Sequence, residues 1–370
     1  MNIKIADEIL EVLNLINKNG YEAYVVGGYI RDALLGKANF DADITTSATP
    51  NKLKEIFSNY ELEESFMGLG SIKFQFNDYH IEITTYRKEY EYINHRKPSK
   101  VEFTTSLKED LIRRDFTINA LCSDGKNIVD MFDGINDLED KRIKTIGNPF
   151  VRFEEDALRI LRALRFASKL EFSLDDVKEA IYANYKYLKD IAFETKLREL
   201  RGLLNEKNYI NILKEYKDVL IDIFELDNLR VHLFSDSLSF EDRERLFFYD
   251  SQYNNLANKD IKFINDKKDL KRKLREYGKE NIETLLLFKS RVLKEDIIIY
   301  NLLNNILNNE ECYNLKMLAV NGENLLQFNI EKNKIGKHLN MLLDAVIEEK
   351  CSNEESELLE YLRNILNEEG

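Results

Sequence analysis

Asp41 and Asp43 stand two residues apart in FDADITT (40–46), where β-branched residues and alternation predict a strand. The period of a strand puts both carboxylates on one face. Two carboxylates held together repel, and each resists ionising. A divalent cation removes that penalty, and Mg²⁺ favours one or two carboxylates plus the phosphates of a substrate. An isolated Asp-x-Asp is more often a solvated strand end. Here it follows AYVVGG (23–28), a short apolar run closed by Gly27 and Gly28, and IRDALLG (30–36), a short expected helix carrying Arg31. Glycines at that turn let backbone N–H groups approach an anion. A guanidinium beside them can grip phosphate oxygens. Turn, arginine and acidic pair together describe a nucleoside triphosphate held over metal.

Glu82 in HIEITTYR (80–87) faces away from its neighbours Ile81 and Ile83. It is a third acidic group if its strand lies beside that of Asp41 and Asp43, and an exposed strand residue if it does not. RRDFTINA (113–120) places Arg113, Arg114 and Asp115 at an expected helix start. A carboxylate there can accept from a ribose 2′-hydroxyl while an arginine holds phosphate. The simpler alternative is a helix N-terminus with a favourable acid.

EEDALRILRALR (154–165) is the most informative stretch. Asp156 and Arg159 are spaced i, i+3 on an expected helix over 153–169, and Arg162 and Arg165 continue the spacing. Such runs usually form salt-bridged surface helices. They can also read a base edge. Cytosine and adenine each show an amino donor beside a bare ring nitrogen. A carboxylate accepts from the first and a guanidinium donates to the second. Guanine and uracil reverse that order, and the mismatch leaves buried polar groups unpaired. One fixed Asp–Arg pair therefore selects C and A without a nucleic-acid template.

The elements that must carry these residues follow from composition and pattern. The chain has 370 residues, 44% of them hydrophobic, with only 14 Gly and 3 Pro. That is enough for more than one domain and favours long helices over a β-sandwich. Up to about residue 145 short apolar runs alternate with helical patterns, which predicts an α+β domain with a small mixed sheet. KEYEYINHRKPSK (88–100) is polar, carries Pro98 and is expected to be a mobile loop. GNPF (147–150) is the first break, and beyond it the pattern is almost wholly helical. The net charge of −13 by itself disfavours nucleic acid, because phosphate binding needs local Lys and Arg. The basic runs KDLKRKLR (268–275) and LIRRDF (111–116) are two local sources. Cys122, Cys312 and Cys351 are odd in number and far apart, so neither a disulfide framework nor zinc is expected. The four histidines form no metal-ligand cluster. With no signal-peptide pattern and no membrane-spanning run, a reduced cytoplasmic protein is expected.

Five stretches in order, VGGYIRDALLG, FDADITTSATP, IEITTYR, LIRRDFTINAL and RFEEDALRILRALRFA, give the chain a family likeness. It resembles the class II tRNA nucleotidyltransferases, the CCA-adding enzymes, and the related bacterial poly(A) polymerases. The resemblance implies a polymerase-β-like head over 1–146, a helical neck over 147–205, a body over 206–310 and a tRNA-binding tail over 311–370. It implies addition of CCA to the tRNA 3′ end from CTP and ATP. By the same analogy Asp41 and Asp43 bind the two catalytic Mg²⁺ ions, and Gly28 and Arg31 hold the triphosphate; the residue pattern itself adds Glu82 as a candidate catalytic acid and Gly27 as a candidate at the phosphates. Arg114 and Asp115 then contact phosphate and ribose, and Asp156 and Arg159 pair with the base, with Arg162 and Arg165 nearby. One departure concerns AFETKLREL (192–200): the family often opens this helix with Ser-x-Glu-Arg, and Ala192 and Thr195 replace the Ser and Arg, which puts stabilisation of the neck in question. Narrower alternatives are CC-only addition, A-only addition and poly(A) synthesis. CC-only members tend to lack the loop after the third strand, so the presence of 88–100 favours full addition. A rival of another class is a non-catalytic RNA-binding protein on the same head.

Overall fold

The structure is a computed structural model that describes residues 3–63, 70–251, 264–328 and 330–369. The chain divides into two compact units, Met1–Glu225 and Leu226–Gly370.

The first unit begins with α1 (Asp7–Lys18), β1 (Ala23–Val26), α2 (Gly28–Leu34), β2 (Asp41–Thr46) and α3 (Pro50–Ile56). The hairpin β3 (Ser71–Phe76) and β4 (Tyr79–Thr85) turns at Asn77, which takes the positive φ such a turn requires. The short strands β7 (Cys122–Ser123) and β8 (Ile128–Val129) complete one six-stranded sheet of order β3-β4-β2-β1-β7-β8. Only β2 and β4 pair in parallel. The sheet is therefore mixed, as expected.

Alternation decides which face is which. Ala42, Ile44, Ile81 and Ile83 enter a core with Ile9, Val12, Leu13 and Ile16 of α1 and Leu53 of α3. Asp41, Asp43 and Glu82 fall on the other face because the strand period is two. Val26, Tyr86, Leu107, Leu111 and Cys122 form a smaller cluster.

Residues 88–100 are a two-stranded ribbon, which corrects the expected loop. β5 (Arg87–Ile93) pairs antiparallel with β6 (Lys97–Phe103). Asn94 and His95 make the turn, both at positive φ. Polar side chains misled the reading: a ribbon lying outside the main sheet needs no apolar face to hold its register. Pro98 is tolerated because the ribbon has only edge strands.

A second correction concerns RRDF. The helix α4 (Leu107–Ile112) ends just before Arg113, and a short 3₁₀ turn follows at Thr117–Asn119. Arg113, Arg114 and Asp115 thus leave a helix C-terminus and do not start a helix. The carbonyls there are taken by arginines. Arg152 donates to the oxygens of Ile112, Arg113 and Arg114, and Arg159 donates to that of Arg113. This satisfies groups that a helix end leaves orphaned.

A third correction concerns 153–169. Beyond α5 (Gly134–Glu139), the expected single helix is two: α6 (Pro149–Glu155) and α7 (Leu158–Leu170). Asp156 is extended between them, so it shares no helix face with Arg159. α8 (Lys178–Asn184), α9 (Phe193–Leu204), α10 (Tyr209–Glu215) and α11 (Lys217–Phe224) complete the unit. Ala192 at the N-cap of α9 offers no capping side chain.

The described part of the second unit is helical, from α12 (Phe240–Phe247) through α13 (Lys267–Tyr277), α14 (Lys279–Phe288) and α15 (Ile297–Asn308) to α16 (Gly322–Leu326), α17 (Ile335–Ile347) and α18 (Glu355–Glu369). The basic run on α13 is matched within the unit: Lys267 and Lys271 pair with Glu311, Arg272 with Asp269 and Glu348, and Arg275 with Asp344. Among the described residues no helix is long and apolar enough to cross a membrane.

Candidate active site

β1 leads into the site through a turn that only glycine holds comfortably. Gly27 has φ 76° and ψ −128°, and its N–H is given to the carbonyl of Leu121 at 2.9 Å. A Cβ on Gly27 would lie 3.6 Å from Arg114 Nη1 and 3.9 Å from Asp43 Oδ2. The glycine thus keeps the space between those two charges open, and Gly28 begins α2 beside it.

One row of paired residues crosses the sheet here. Asp43 on β2 lies opposite Glu82 on β4, and Glu82 lies opposite Lys73 on β3. Glu82 Oε2 is 2.9 Å from Lys73 Nζ. Asp43 is open to solvent yet crowded by protein. Burial pushes its carboxyl pKa up, Arg114 opposes this, and Glu82 and Asp41 add to the rise. The pair Asp41 and Asp43 offers hard oxygen donors on one face, a set suited to a divalent cation.

Asp43 is also the junction of two hollows. One is acidic and lined by Asp41, Asp43, Glu61, Glu63 and Glu82. The other is a cleft of about 600 Å³ with nine arginines and one lysine against five carboxylates. In a chain of net charge −13 this is a concentrated cationic wall, made by residues that lie far apart in sequence.

The arginines are held in place. Arg31 is 3% exposed, its Nε donates to Asp32 at 2.8 Å, and its Nη1 donates to Asn119 Oδ1 at 2.7 Å. Asn119 in turn donates to Asp115 Oδ1 at 3.1 Å. Asp115 Oδ2 accepts from Arg162 Nε at 2.8 Å and Nη2 at 2.5 Å. Burial alone would raise the Asp115 carboxyl, but Arg162 and these donors hold it down to about 2. With the Phe116 N–H also on Oδ1, four donors occupy this carboxylate, so a ribose hydroxyl would have to displace one. Arg165 pairs with Glu199 at 3.0 Å and lies over Phe166. Arg114 pairs with buried Asp110 at 3.4 Å, and its buried Nε has no partner among the described groups.

The ribbon tip closes the other end. His95 accepts the N–H of Ala157 at 2.9 Å on its carbonyl, and its ring stacks on Tyr187 with centroids 3.9 Å apart. Arg96 donates to Asp156 Oδ2 at 3.0 Å, while Asp156 Oδ1 accepts the N–H of Leu158. Burial raises the Asp156 carboxyl pKa, and Arg96 and Arg159 oppose the rise. Arg159 donates to the carbonyls of Arg152 and Arg113 and to Glu155, and packs over Tyr92.

All thirteen candidate site residues singled out in the sequence lie at this cleft or at the acidic hollow that meets it. Missed were Arg87, Glu89, Asp110, Asn119 and Arg198, while Arg96, in a stretch expected to be a loop, is a candidate for touching substrate that the structure places at the cleft. Only Asp110 carried a signal, its i, i+3 and i, i+4 spacing to Arg113 and Arg114 in LKEDLIRR.

Residues 23–144 match the family model of the Poly A polymerase head domain. The CCA-adding enzyme of Staphylococcus aureus is 33% identical, over 98% of this chain and 99% of its own length. That of Enterococcus faecalis is 47% identical over 179 residues, 48% of this chain and 44% of its own. The crystal structure of the Bacillus stearothermophilus CCA-adding enzyme in complex with CTP is 25% identical and superposes with a TM-score of 0.68, covering 98% of each chain. A mixed sheet with acidic side chains on its open face, followed by helices, is thus the polymerase-β-like arrangement, and the chain belongs to the family of CCA-adding enzymes.

Proposed function

We propose that this chain adds C, C and A to the 3′ end of tRNA, taking CTP and ATP without a nucleic-acid template and releasing pyrophosphate. The carrying observation is the meeting at Asp43 of an arginine-lined cleft and an acidic sheet face. The first suits a triphosphate; the second suits the cation that accompanies it. Membership of the CCA-adding enzymes supports the substrate class.

In this reading Asp41 and Asp43 hold Mg²⁺, and Glu82 adds negative field from the next strand. The cation would lower the pKa of the attacking 3′-hydroxyl and neutralise charge on the leaving pyrophosphate. Gly27 and Gly28 keep side chains away from the phosphates, and Arg31 and Arg114 supply positive field. Asp115 anchors Arg162, and Glu199 anchors Arg165, so two further guanidiniums reach the cleft pre-oriented. Asp156 and Arg159 choose the base. For that, Arg96 must release Asp156, and Arg159 must turn from the main-chain carbonyls it now holds.

The division into head, neck, body and tail at 146, 205 and 310 is part of the same proposal, with residues 252–263 of the body outside those described. Three free cysteines are compatible with a cytoplasmic setting. The test is stepwise: tRNA lacking CCA, tRNA ending in C and tRNA ending in CC, each with CTP or ATP alone. Two C additions followed by one A support full CCA addition. A product that stops at CC, accepts A alone or grows an A tail replaces it with the narrower enzyme. No pyrophosphate release in any arm replaces it with a binding protein.

A further inference from the structure

Glu82 has two neighbours in its row, Lys73 on one side and Asp43 on the other. Residues paired across strands share a face and stand roughly 4.5–5.5 Å apart, so a carboxylate in the middle can be drawn to either side. Glu82 is drawn to Lys73, with Nζ and Oε2 2.9 Å apart. Asp41, Asp43 and Glu82 lie on one sheet face, and among the described residues no three His, Cys, Asp or Glu side chains are grouped as a metal site.

Lys73 is well placed to do this. Its backbone is fixed on both edges of β3. It pairs with β4 on one side and exchanges hydrogen bonds with Glu63 on the other, at 2.8 and 3.4 Å. Among the described residues lining the acidic hollow it is the one lysine or arginine. The ion pair itself is half open, with the two side chains 36% and 35% exposed. Pairs this open contribute roughly 0–1 kcal/mol to folding. A fold-stabilising role thus accounts for little of its placement, while its charge sits next to the carboxylates that matter for chemistry.

Cation affinity in oxygen-ligand sites rises with the number of charged ligands. Two carboxylates balance a divalent ion and leave coordination positions for phosphate oxygens. A third would tighten binding and occupy one of those positions. The geometry points to Lys73 as a positioning residue: by holding Glu82 it limits the cation between Asp41 and Asp43 to two carboxylates, so that nucleotide phosphates complete its shell. This rests on Asp41 and Asp43 being the cation ligands.

The test uses the full chain without nucleotide, with Mn²⁺ as probe and free Mn²⁺ read by electron paramagnetic resonance. Lys73→Met is expected to bind Mn²⁺ roughly tenfold more tightly than the unaltered protein, because a third carboxylate becomes available. Lys73→Gln is a second neutral variant with the same expectation, and thermal melts check that both fold. Lys73→Arg keeps the pair and stays near the unaltered affinity. Adding Glu82→Gln to Lys73→Met returns the affinity to near its starting value. Unchanged or weaker binding in both neutral variants overturns the inference. So does a gain that survives Glu82→Gln, because that gain would be a general field effect. Asp41→Ala separates the two levels: Mn²⁺ binding unaffected there removes the cation reading itself, whereas loss in Asp41→Ala with no gain in Lys73→Met removes only the role of Lys73.

Discussion

Arg96, at the tip of the β5–β6 ribbon, donates a hydrogen bond of 3.0 Å to Asp156, which sits in the break between α6 and α7. The carboxylate that the sequence marks as a base reader is therefore paired within the chain, and any base that reaches it competes with a guanidinium.

Arg96→Ala removes that competitor. The Arg96 side chain is 40% exposed, so the pair is worth roughly 0.5–1 kcal/mol after screening. Binding of CTP without tRNA should tighten about two- to fivefold. Calorimetric titration checks this. Weaker binding would mean that Arg96 touches the nucleotide itself.

Gly27→Ala tests the turn. The added Cβ meets nothing closer than 3.5 Å, so space is not the obstacle. The backbone is: φ 76° with ψ −128° is poor for any L side chain. A cost of roughly 1–3 kcal/mol is expected, seen as a lower thermal midpoint together with weaker CTP binding. An unchanged midpoint would show that the turn relaxes freely.

Asp43→Asn should cut nucleotide incorporation by roughly a thousandfold, about 4 kcal/mol of barrier. Burial and the neighbouring acids raise the Asp43 carboxyl pKa, so its ionised form opposes folding. A raised carboxyl pKa lowers stability as pH rises through and above its range. The neutral variant should therefore melt no lower than the unaltered protein near pH 7, and usually slightly higher. A clear drop in midpoint would give Asp43 a structural role.

Asp115 runs the other way. Its pKa in the fold is about 2, below the ordinary value of about 3.9 in an unfolded chain. The resulting stability is complete above about pH 5 and is lost as pH falls toward about 2. A shift of that size is worth about 2–3 kcal/mol. Asp115→Asn should lower the urea midpoint at about pH 7, and the gap should narrow below about pH 4. A gap that does not change with pH would assign the loss to packing.

In the second unit, Lys271 is 6% exposed and pairs with Glu311 at 2.8 Å. Glu311→Gln strands a buried ammonium and should destabilise the protein by roughly 1–3 kcal/mol, read as a lower thermal midpoint. Little change would mean that the ammonium reaches water.

The sequence alone carried the candidate site residues and much of the head. Asp41 and Asp43 share a face because strand period is two, and Gly27 marks a turn that other residues strain to make; both are local facts. The ordered motifs were enough to indicate the family. What needed the tertiary structure was every relation set by contacts between distant segments. Polar residues 88–100 read as a loop because their register is held by cross-strand pairing, not by an apolar stripe. α6 and α7 read as one helix because the break at Asp156 is stitched by His95 and Arg96 from about sixty residues upstream. RRDF read as a helix start because the arginines that satisfy the end of α4 come from residues 152 and 159. Lys73 was invisible as a partner of Glu82 until β3, β4 and β2 were laid side by side. Composition gave an acidic chain, and only folding gathered nine of its arginines around one cleft, because charge in a sequence is a sum whereas charge at a site is a matter of distance.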